Sequence, residues 1–270
     1  MKQITSGDNP QFKALLKLHQ SSRERRRAGL SLLDGVHLVA AYLEHVGRPE
    51  QVAVGRSALA DSEIEALLRS KLMPEPIVLA DGLMRELSSV ATPTGLIATV
   101  KTPRRLDVPA QPGPCLMLED IQDPGNLGSM LRSAAAAAIE EVYLSPHCVQ
   151  AWSPRVLRAG MGAHFALRIY DGVDLVTLAM SFGGTVLATA GDGSTPYYEA
   201  DLGGRVALIL GNEGSGISAA LRAAASASIS IPMPGKAESL NVAAAAAICL
   251  FERVRQRAVT SSPAESAARL

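Results

Sequence analysis

Apolar residues recur along this chain in two alternating rhythms, short continuous runs bounded by turn residues and longer runs spaced three and four apart. The first rhythm predicts buried strands and the second predicts helices with one buried face. Asn9-Pro10 is a turn-initiating pair ahead of Phe12, Leu15, Leu16 and Leu18, a helical spacing, and a second helix is predicted over Val36 to His45. Val52–Val54, Ile77–Leu79 and Leu96–Val100 read as short strands alternating with helical segments at Asp61–Ser70 and Gly82–Ser88, which makes a small α/β unit. Further on, strands are predicted at Cys115–Leu118, Val142–Leu144, Thr185–Ala188, Val206–Leu210 and Ser228–Ile231. Helices are predicted at Leu127–Ala138, Pro154–Met161, Leu175–Phe182, Ser218–Ala225 and Leu240–Arg257. That alternation implies a parallel sheet. The alanine runs Ala134–Ala138 and Ala243–Ala247 favour helix and let neighbouring backbones approach closely.

Between the two patterned regions, Lys101 to Pro114 holds four prolines and one glycine, the composition of a linker. The predicted organisation is a domain over residues 1–100, a linker over 101–114, a second domain over 115–260 and a flexible tail over 261–270. Composition agrees with a folded chain: of 270 residues, 47% are apolar and 19% charged, too little charge for disorder. Net charge is zero, which excludes a uniformly basic protein but conceals an asymmetry of +4 over residues 1–105 and −4 over 106–270. Arg23, Arg25, Arg26 and Arg27 crowd together near the start, a local excess able to meet phosphate, or else a solvated helix surface. Cys115, Cys148 and Cys249 are widely spaced, with no CxxC pair, so neither a disulfide framework nor a metal site is indicated. With no apolar leader at the N-terminus and no stretch long enough to span a bilayer, the expected location is the cytoplasm.

Candidate chemistry lies in three loops, each following a predicted strand of the second domain, where α/β sheets place ligands. The first runs from Glu119 to Arg132. Pro124-Gly125 turns the chain, Asn126 is expected to cap the next helix, and Arg132 stands in that helix's first half, where a cation gains nothing from the dipole. Arg132 is thus either a functional guanidinium or a salt-bridge partner for Glu119 or Asp120. In the second loop, Gly211 and Gly216 have phosphate-loop spacing, but Ile217 replaces the lysine that a nucleotide triphosphate requires, and the loop is not GxGxxG either. Glu213 inside the glycine turn suits a cationic or hydroxyl-bearing ligand. The third loop leads through Pro232 and Pro234 to Ser239 and Asn241, both good caps for the long final helix.

In this order the loops resemble the three motifs of the SpoU–TrmH family of RNA ribose 2′-O-methyltransferases, within the SPOUT superfamily. The matching residues are Asp123-Pro-Gly-Asn-Leu-Gly-Ser-Met-Leu-Arg132, Leu210-Gly-Asn-Glu-Gly214, and Ile231-Pro-Met233 with Ser239-Leu-Asn-Val242. The first domain looks like that family's ribosomal-protein-like RNA substrate-binding domain, through Asn9-Pro10, Lys13, the arginine cluster and Leu33-Asp-Gly-Val-His37. Asp34 stands where relatives often have Glu.

The resemblance implies a small N-terminal α/β domain joined to a C-terminal parallel-sheet SPOUT domain with a trefoil knot, acting as a homodimer with S-adenosylmethionine as cofactor and without metal. It implies cofactor contacts at Thr189, Ala190, Leu210, Gly211, Gly214, Ile231, Leu240 and Ala243. It also implies catalytic roles for Arg132, Asn126, Glu213, Ser239 and Asn241. A guanidinium keeps its proton at working pH, so an arginine in this role is expected to clamp phosphate and stabilise a developing oxyanion instead of acting as a base. Arg23, Arg25, Arg26 and Arg27 become candidate RNA contacts, with ribosomal RNA expected as substrate. The alternatives are a tRNA ribose 2′-O-methyltransferase and a non-catalytic RNA-binding dimer on the same fold.

Overall fold

In the computed structural model, the alternation of strands and helices builds two sheets. The structure describes residues 1–88, 90, 93–103 and 107–260. Residues 104–106 of the expected linker and the expected tail, 261–270, lie outside the described residues.

The elements in chain order are β1 (Gln3–Ile4), α1 (Pro10–Gln20), α2 (Ser22–Ala28), β2 (Leu30–Asp34), α3 (Val36–His45), β3 (Gln51–Gly55), α4 (Ser62–Leu68), β4 (Ile77–Leu79), α5 (Asp81–Leu87) and β5 (Leu96–Lys101). There follow β6 (Cys115–Leu118), α6 (Pro124–Ala136), β7 (Glu141–Leu144), α7 (Pro154–Gly160), β8 (Arg168–Tyr170), α8 (Leu175–Ser181), β9 (Thr185–Thr189) and β10 (Thr195–Pro196). The last are β11 (Val206–Leu210), α9 (Ala219–Ala224), β12 (Ala227–Ser230) and α10 (Val242–Thr260). Backbone contacts divide the chain into two units, Met1–Arg104 with Gln150–Ala166, and Arg105–Val149 with Leu167–Leu270.

The first unit is a five-stranded mixed sheet in the order β1-β4-β3-β5-β2. Alternate residues of its strands feed two separate cores. Leu32, Ala53, Leu79 and Ile97 pack with Phe12, Leu15 and Leu83, whereas Leu33, Val54, Val78 and Leu96 pack with Val39, Tyr42 and Ile64. Leu157 of α7 sits fully buried in the second of these cores, and α7 lies along the edge strand β2. The helix that strand–helix alternation places with the second domain is therefore a structural part of the first unit.

The second unit is a seven-stranded, wholly parallel sheet in the order β10-β12-β9-β11-β6-β7-β8. Every residue of β6, β7 and β11 is buried, as expected for parallel strands covered on both faces. Cys115, Met117, Ala207 and Ile209 face one way, against Phe182, Leu178 and Leu221 of the α8–α9 side. Tyr143 and Tyr170 stack in the same cluster with ring centroids 4.6 Å apart. The parallel C-terminal sheet and the small N-terminal α/β unit are those expected. The strands β8 and β10, of three and two residues, were not legible as runs.

Candidate active site

The carboxyl ends of β6, β11 and β12 bring the three motif loops together in the second unit. After β6 the chain is turned by Asp120, a non-glycine residue with φ 54°. Its N–H donates to Ser145 Oγ (2.9 Å), its carboxylate accepts from Ser145 Oγ (2.6 Å), and its carbonyl accepts from Asn212 Nδ2 (2.8 Å). Left-handed backbone is costly for a residue with a Cβ, and these three bonds hold it there. Glu119 accepts from the N–H and Oγ of Ser218, both at 2.7 Å. Neither carboxylate pairs with Arg132, which is exposed and has no hydrogen bond or ion pair among the described residues.

Helix α6 starts three residues earlier than the apolar pattern predicts. Asp123 caps it, its Oδ1 accepting from the Asn126 N–H at 2.8 Å, and Pro124 occupies the first turn. Asn126 is therefore not the cap, and its amide is released for other contacts. Asn126 Nδ2 donates to Glu213 Oε1 (3.1 Å), while its Oδ1 accepts from Asn241 Nδ2 (2.8 Å). Asn241 is the cap of α10, its Oδ1 accepting from the N–H groups of Ala243 (2.9 Å) and Ala244 (3.3 Å).

These bonds set a direction. The helix N–H groups oblige Asn241 to turn its oxygen inward and its NH₂ toward Asn126, which obliges Asn126 to present its own NH₂ to Glu213. Reversing either amide would set donor against donor or acceptor against acceptor. Burial pushes the Glu213 carboxyl up, but hydrogen bonds from Asn126 and from the backbone of Glu213, Asp123 and Gln122 outweigh it and hold the group below its ordinary carboxylate value. Glu213 is thus an ionised acceptor at neutral pH.

The second loop is closed on itself. Asn212 and Gly216 exchange backbone hydrogen bonds at 3.0 Å, and Asn212 Oδ1 accepts from the N–H of Gly214 (2.9 Å) and Ser215 (3.0 Å). The chain crosses so tightly that a Cβ at Gly211 would overlap the Gly216 carbonyl and the Ile217 amide. Asn212 was not singled out in the sequence. Its signal is an Asx turn, an asparagine followed by Gly-rich sequence at a strand end.

Beside these loops opens a cavity of about 690 Å³, within the range of small-molecule sites. Thr189, Ala190, Leu210, Gly211, Gly214, Ile231 and Leu240 all line it, together with Asn126, Glu213, Ser239 and Asn241. Ala243 does not. It is buried on the first turn of α10, and Val242, Ala245 and Cys249 form that part of the wall. Arg132 is not among the lining residues. The structure adds Asp192 and Arg222, which form an ion pair at 3.0 Å on the lining, with Arg222 also donating to Ser228.

The donor set suits an uncharged aromatic base with a cationic sulfonium tail. Leu210, Ile231 and Leu240 supply apolar wall, Gly211 leaves room for close backbone approach, and Glu213 supplies negative charge. A triphosphate finds no match, because the one Arg or Lys on the lining among the described residues is already held by Asp192.

In the first unit the four arginines near the start divide. Arg23, Arg26 and Arg27 are exposed, with Arg27 paired to Glu24 at 2.6 Å. Arg25 is only 5% exposed and is taken up internally: its guanidinium donates to the carbonyls of Leu18 (2.7 Å) and His19 (3.1 Å) and twice to Gln150 Oε1. Among the described residues, no helix is long and apolar enough to cross a membrane, and no cluster of His, Cys, Asp and Glu is arranged to hold a metal ion.

A parallel sheet whose strand ends carry three interlocked loops around a cavity of mixed apolar and polar lining is the architecture of a cofactor-binding α/β enzyme. Residues 113–251 match the SpoU rRNA methylase family, and residues 9–98 match the MRM3-like substrate-binding domain. The chain belongs to the SpoU rRNA methylase family. It is 32% identical over 253 residues to the 23S rRNA (guanosine(2553)-2′-O)-methyltransferase RlmP of Bacillus subtilis, covering 93% of this chain and 98% of that one. A solved RNA 2′-O ribose methyltransferase superposes with a TM-score of 0.84 at 32% identity, over 95% of this chain and 99% of that one. The SpoU methyltransferase AviRb of Streptomyces viridochromogenes, solved in complex with AdoMet, superposes with a TM-score of 0.80 at 27% identity, over 93% of this chain and all (100%) of that one.

Proposed function

We infer that this chain is an RNA ribose 2′-O-methyltransferase that uses S-adenosylmethionine and acts on ribosomal RNA. The observation that carries it is the directed chain of hydrogen bonds from the α10 N-terminus through Asn241 and Asn126 to Glu213, on the wall of a cavity whose chemistry suits that cofactor. A helix could be capped and a glycine turn closed without linking all three motifs in this way. Bound there, S-adenosylmethionine supplies an electrophilic methyl group on a sulfonium.

The chain's own residues supply the rest. Leu210, Ile231 and Leu240 exclude water, and the backbone around Gly211 and Gly214 holds the cofactor, with Thr189 and Ala190 beside it. Ala243 acts only through the packing of α10. Asn126, Glu213, Ser239 and Asn241 fix the ribose, and Arg132 clamps the target phosphate and stabilises the 2′-oxyanion as the hydroxyl proton passes to solvent water. Most of the rate then comes from positioning and electrostatics. Arg23, Arg26 and Arg27 meet the RNA backbone, while Arg25 supports the helix that carries them. The domain over residues 1–100 serves as the RNA substrate-binding domain.

A homodimer in the cytoplasm belongs to the same proposal. It is supported by an apolar stripe on α10, where Ala244, Ala247, Phe251 and Val254 follow helical spacing and Phe251 is 49% exposed. The trefoil knot is supported by β11 inserting between β9 and β6 and by α10 returning against α6.

Replacing Arg132 with alanine tests the chemistry. Methyl transfer to RNA should fall by at least about a hundredfold, the scale for losing one oxyanion donor, with cofactor affinity by calorimetry unchanged. Equal loss of cofactor binding would make Arg132 structural.

A further inference from the structure

The segment 150–166 lies inside the stretch that matches the methylase family, yet it folds as part of the first unit. Leu157 is buried in that unit's core, Trp152 and Phe165 pack against it, and Gln150 receives two hydrogen bonds from Arg25 of α2. Arg158, half-buried on α7, reaches the buried carboxylate of Asp34 at 3.7 Å. Asp34 belongs to the Leu33-Asp-Gly-Val-His37 motif of the first domain. Gln150 thereby ties the segment to α2, which carries the arginine cluster, and Arg158 ties α7 to the end of β2.

Arg155, one turn before Arg158, behaves differently. It is exposed and makes no hydrogen bond or ion pair among the described residues. Arg25 holds Gln150, five residues before Arg155, and the half-buried His19 ring is faced by Asp34 as well as by Arg25 and Arg155. A run of cations therefore extends from α2 past His19 to α7. Across residues 10–28 and 150–166 the sequence has eight Lys and Arg against a single carboxylate, Glu24, which Arg27 occupies. Arg155 sits in the first turn of its helix, where the dipole opposes a cation, and close to a buried arginine that has no carboxylate partner among the described residues. Neither the helix dipole nor an ion pair selects a cation at this position, so packing does not account for the charge.

We propose that α2 and α7 form one phosphate-gripping face for the substrate RNA, with Arg155 contacting the RNA backbone and Arg158 positioning it through Asp34. The proposal rests on the RNA-methyltransferase reading and extends the RNA surface beyond the N-terminal domain. It gives the methylase segment a direct share in holding the substrate.

The test is binding of a protein-free 23S rRNA transcript to the full-length wild type, Arg155→Ser and Arg155→Lys across a potassium chloride series, with methylation kinetics on the same RNA. Arg155→Ser should weaken binding roughly three- to ten-fold at low salt and reduce the slope of log K against log salt by about 0.7–0.9, the contribution of one phosphate contact. KM for RNA should rise by a similar factor with kcat, melting temperature and cofactor affinity unchanged, and Arg155→Lys should keep the wild-type slope. A wild-type slope and KM in Arg155→Ser, or a lowered melting temperature accounting for its loss, would overturn the proposal. If the wild-type protein itself bound no rRNA at any salt, the functional reading would fall first and this proposal with it.

Discussion

Asn241 carries two separable functions in one amide. Its oxygen satisfies two N–H groups at the start of α10, and its nitrogen aligns Asn126. Substitution by aspartate keeps the first function and removes the second, because a carboxylate still accepts from the helix but has no hydrogen to give Asn126. Asn241→Asp should therefore leave the denaturation midpoint within about 0.5 kcal/mol of wild type, since Asn and Asp cap about equally well. Its methyl transfer should fall by about tenfold or more, the usual scale for losing a positioning contact. Asn241→Ala should lose activity as well and about 1 kcal/mol of stability. A fully active Asn241→Asp would show that Asn241 is a cap and nothing more. At this scale the sequence was informative about which residues matter and silent about how they divide the work. Asn126 looked like a cap because asparagine after Pro-Gly favours that role. The cap is Asp123, and only the observed helix start shows that Asn126 is free to join Asn241 and Glu213.

Among the elements, the loop after β11 is tightly constrained, because its backbone crosses itself at Gly211 with no space for a side chain. Gly214 in the same loop is open, its nearest neighbour to an added Cβ being Asn212 Oδ1 at 3.5 Å. Gly211→Ala should open the Asn212–Gly216 bridge and reduce cofactor affinity by about tenfold or more, the cost of one lost hydrogen bond with its partner left unpaired. Gly214→Ala should bind nearly as wild type. Equal affinities in the two variants by calorimetry would remove the loop from the cofactor site.

The strands that composition revealed are those with continuous apolar runs. Cys115–Leu118 and Val206–Leu210 coincide with β6 and β11 because both faces of a central parallel strand are buried. The strand β2 was missed because Leu30–Asp34 is flanked closely by Gly29 and Gly35 and ends in a buried carboxylate, so it resembles a turn. Helix α2, SRERRRA, has no apolar periodicity at all. It is closed by Ser21 at one end and left-handed Gly29 at the other, and held by the internal bonds of Arg25.

For the whole molecule, zero net charge says little, because residues 1–105 carry +4 and 106–270 carry −4. The three-dimensional division does not follow that boundary, since residues 150–166 bring two further arginines and no carboxylate to the first unit. Linear charge counts therefore understate how basic that unit is. Periodicity identifies α7 as a helix but is blind to which sheet it covers, a choice made by the long-range burial of Leu157 and the anchoring of Arg158 on Asp34.

The reaction assigned to this chain is the transfer of a methyl group to a ribose hydroxyl. It is tested most directly by incubating the full-length chain with methyl-tritiated S-adenosylmethionine and protein-free 23S rRNA, then hydrolysing the RNA in alkali. A methylated 2′-oxygen blocks cleavage at its own phosphodiester. Label is expected in an alkali-resistant dinucleotide, and is lost in Arg132→Ala. Label in mononucleotides, which would place the methyl group on a base, or no label in the RNA at all, would contradict it.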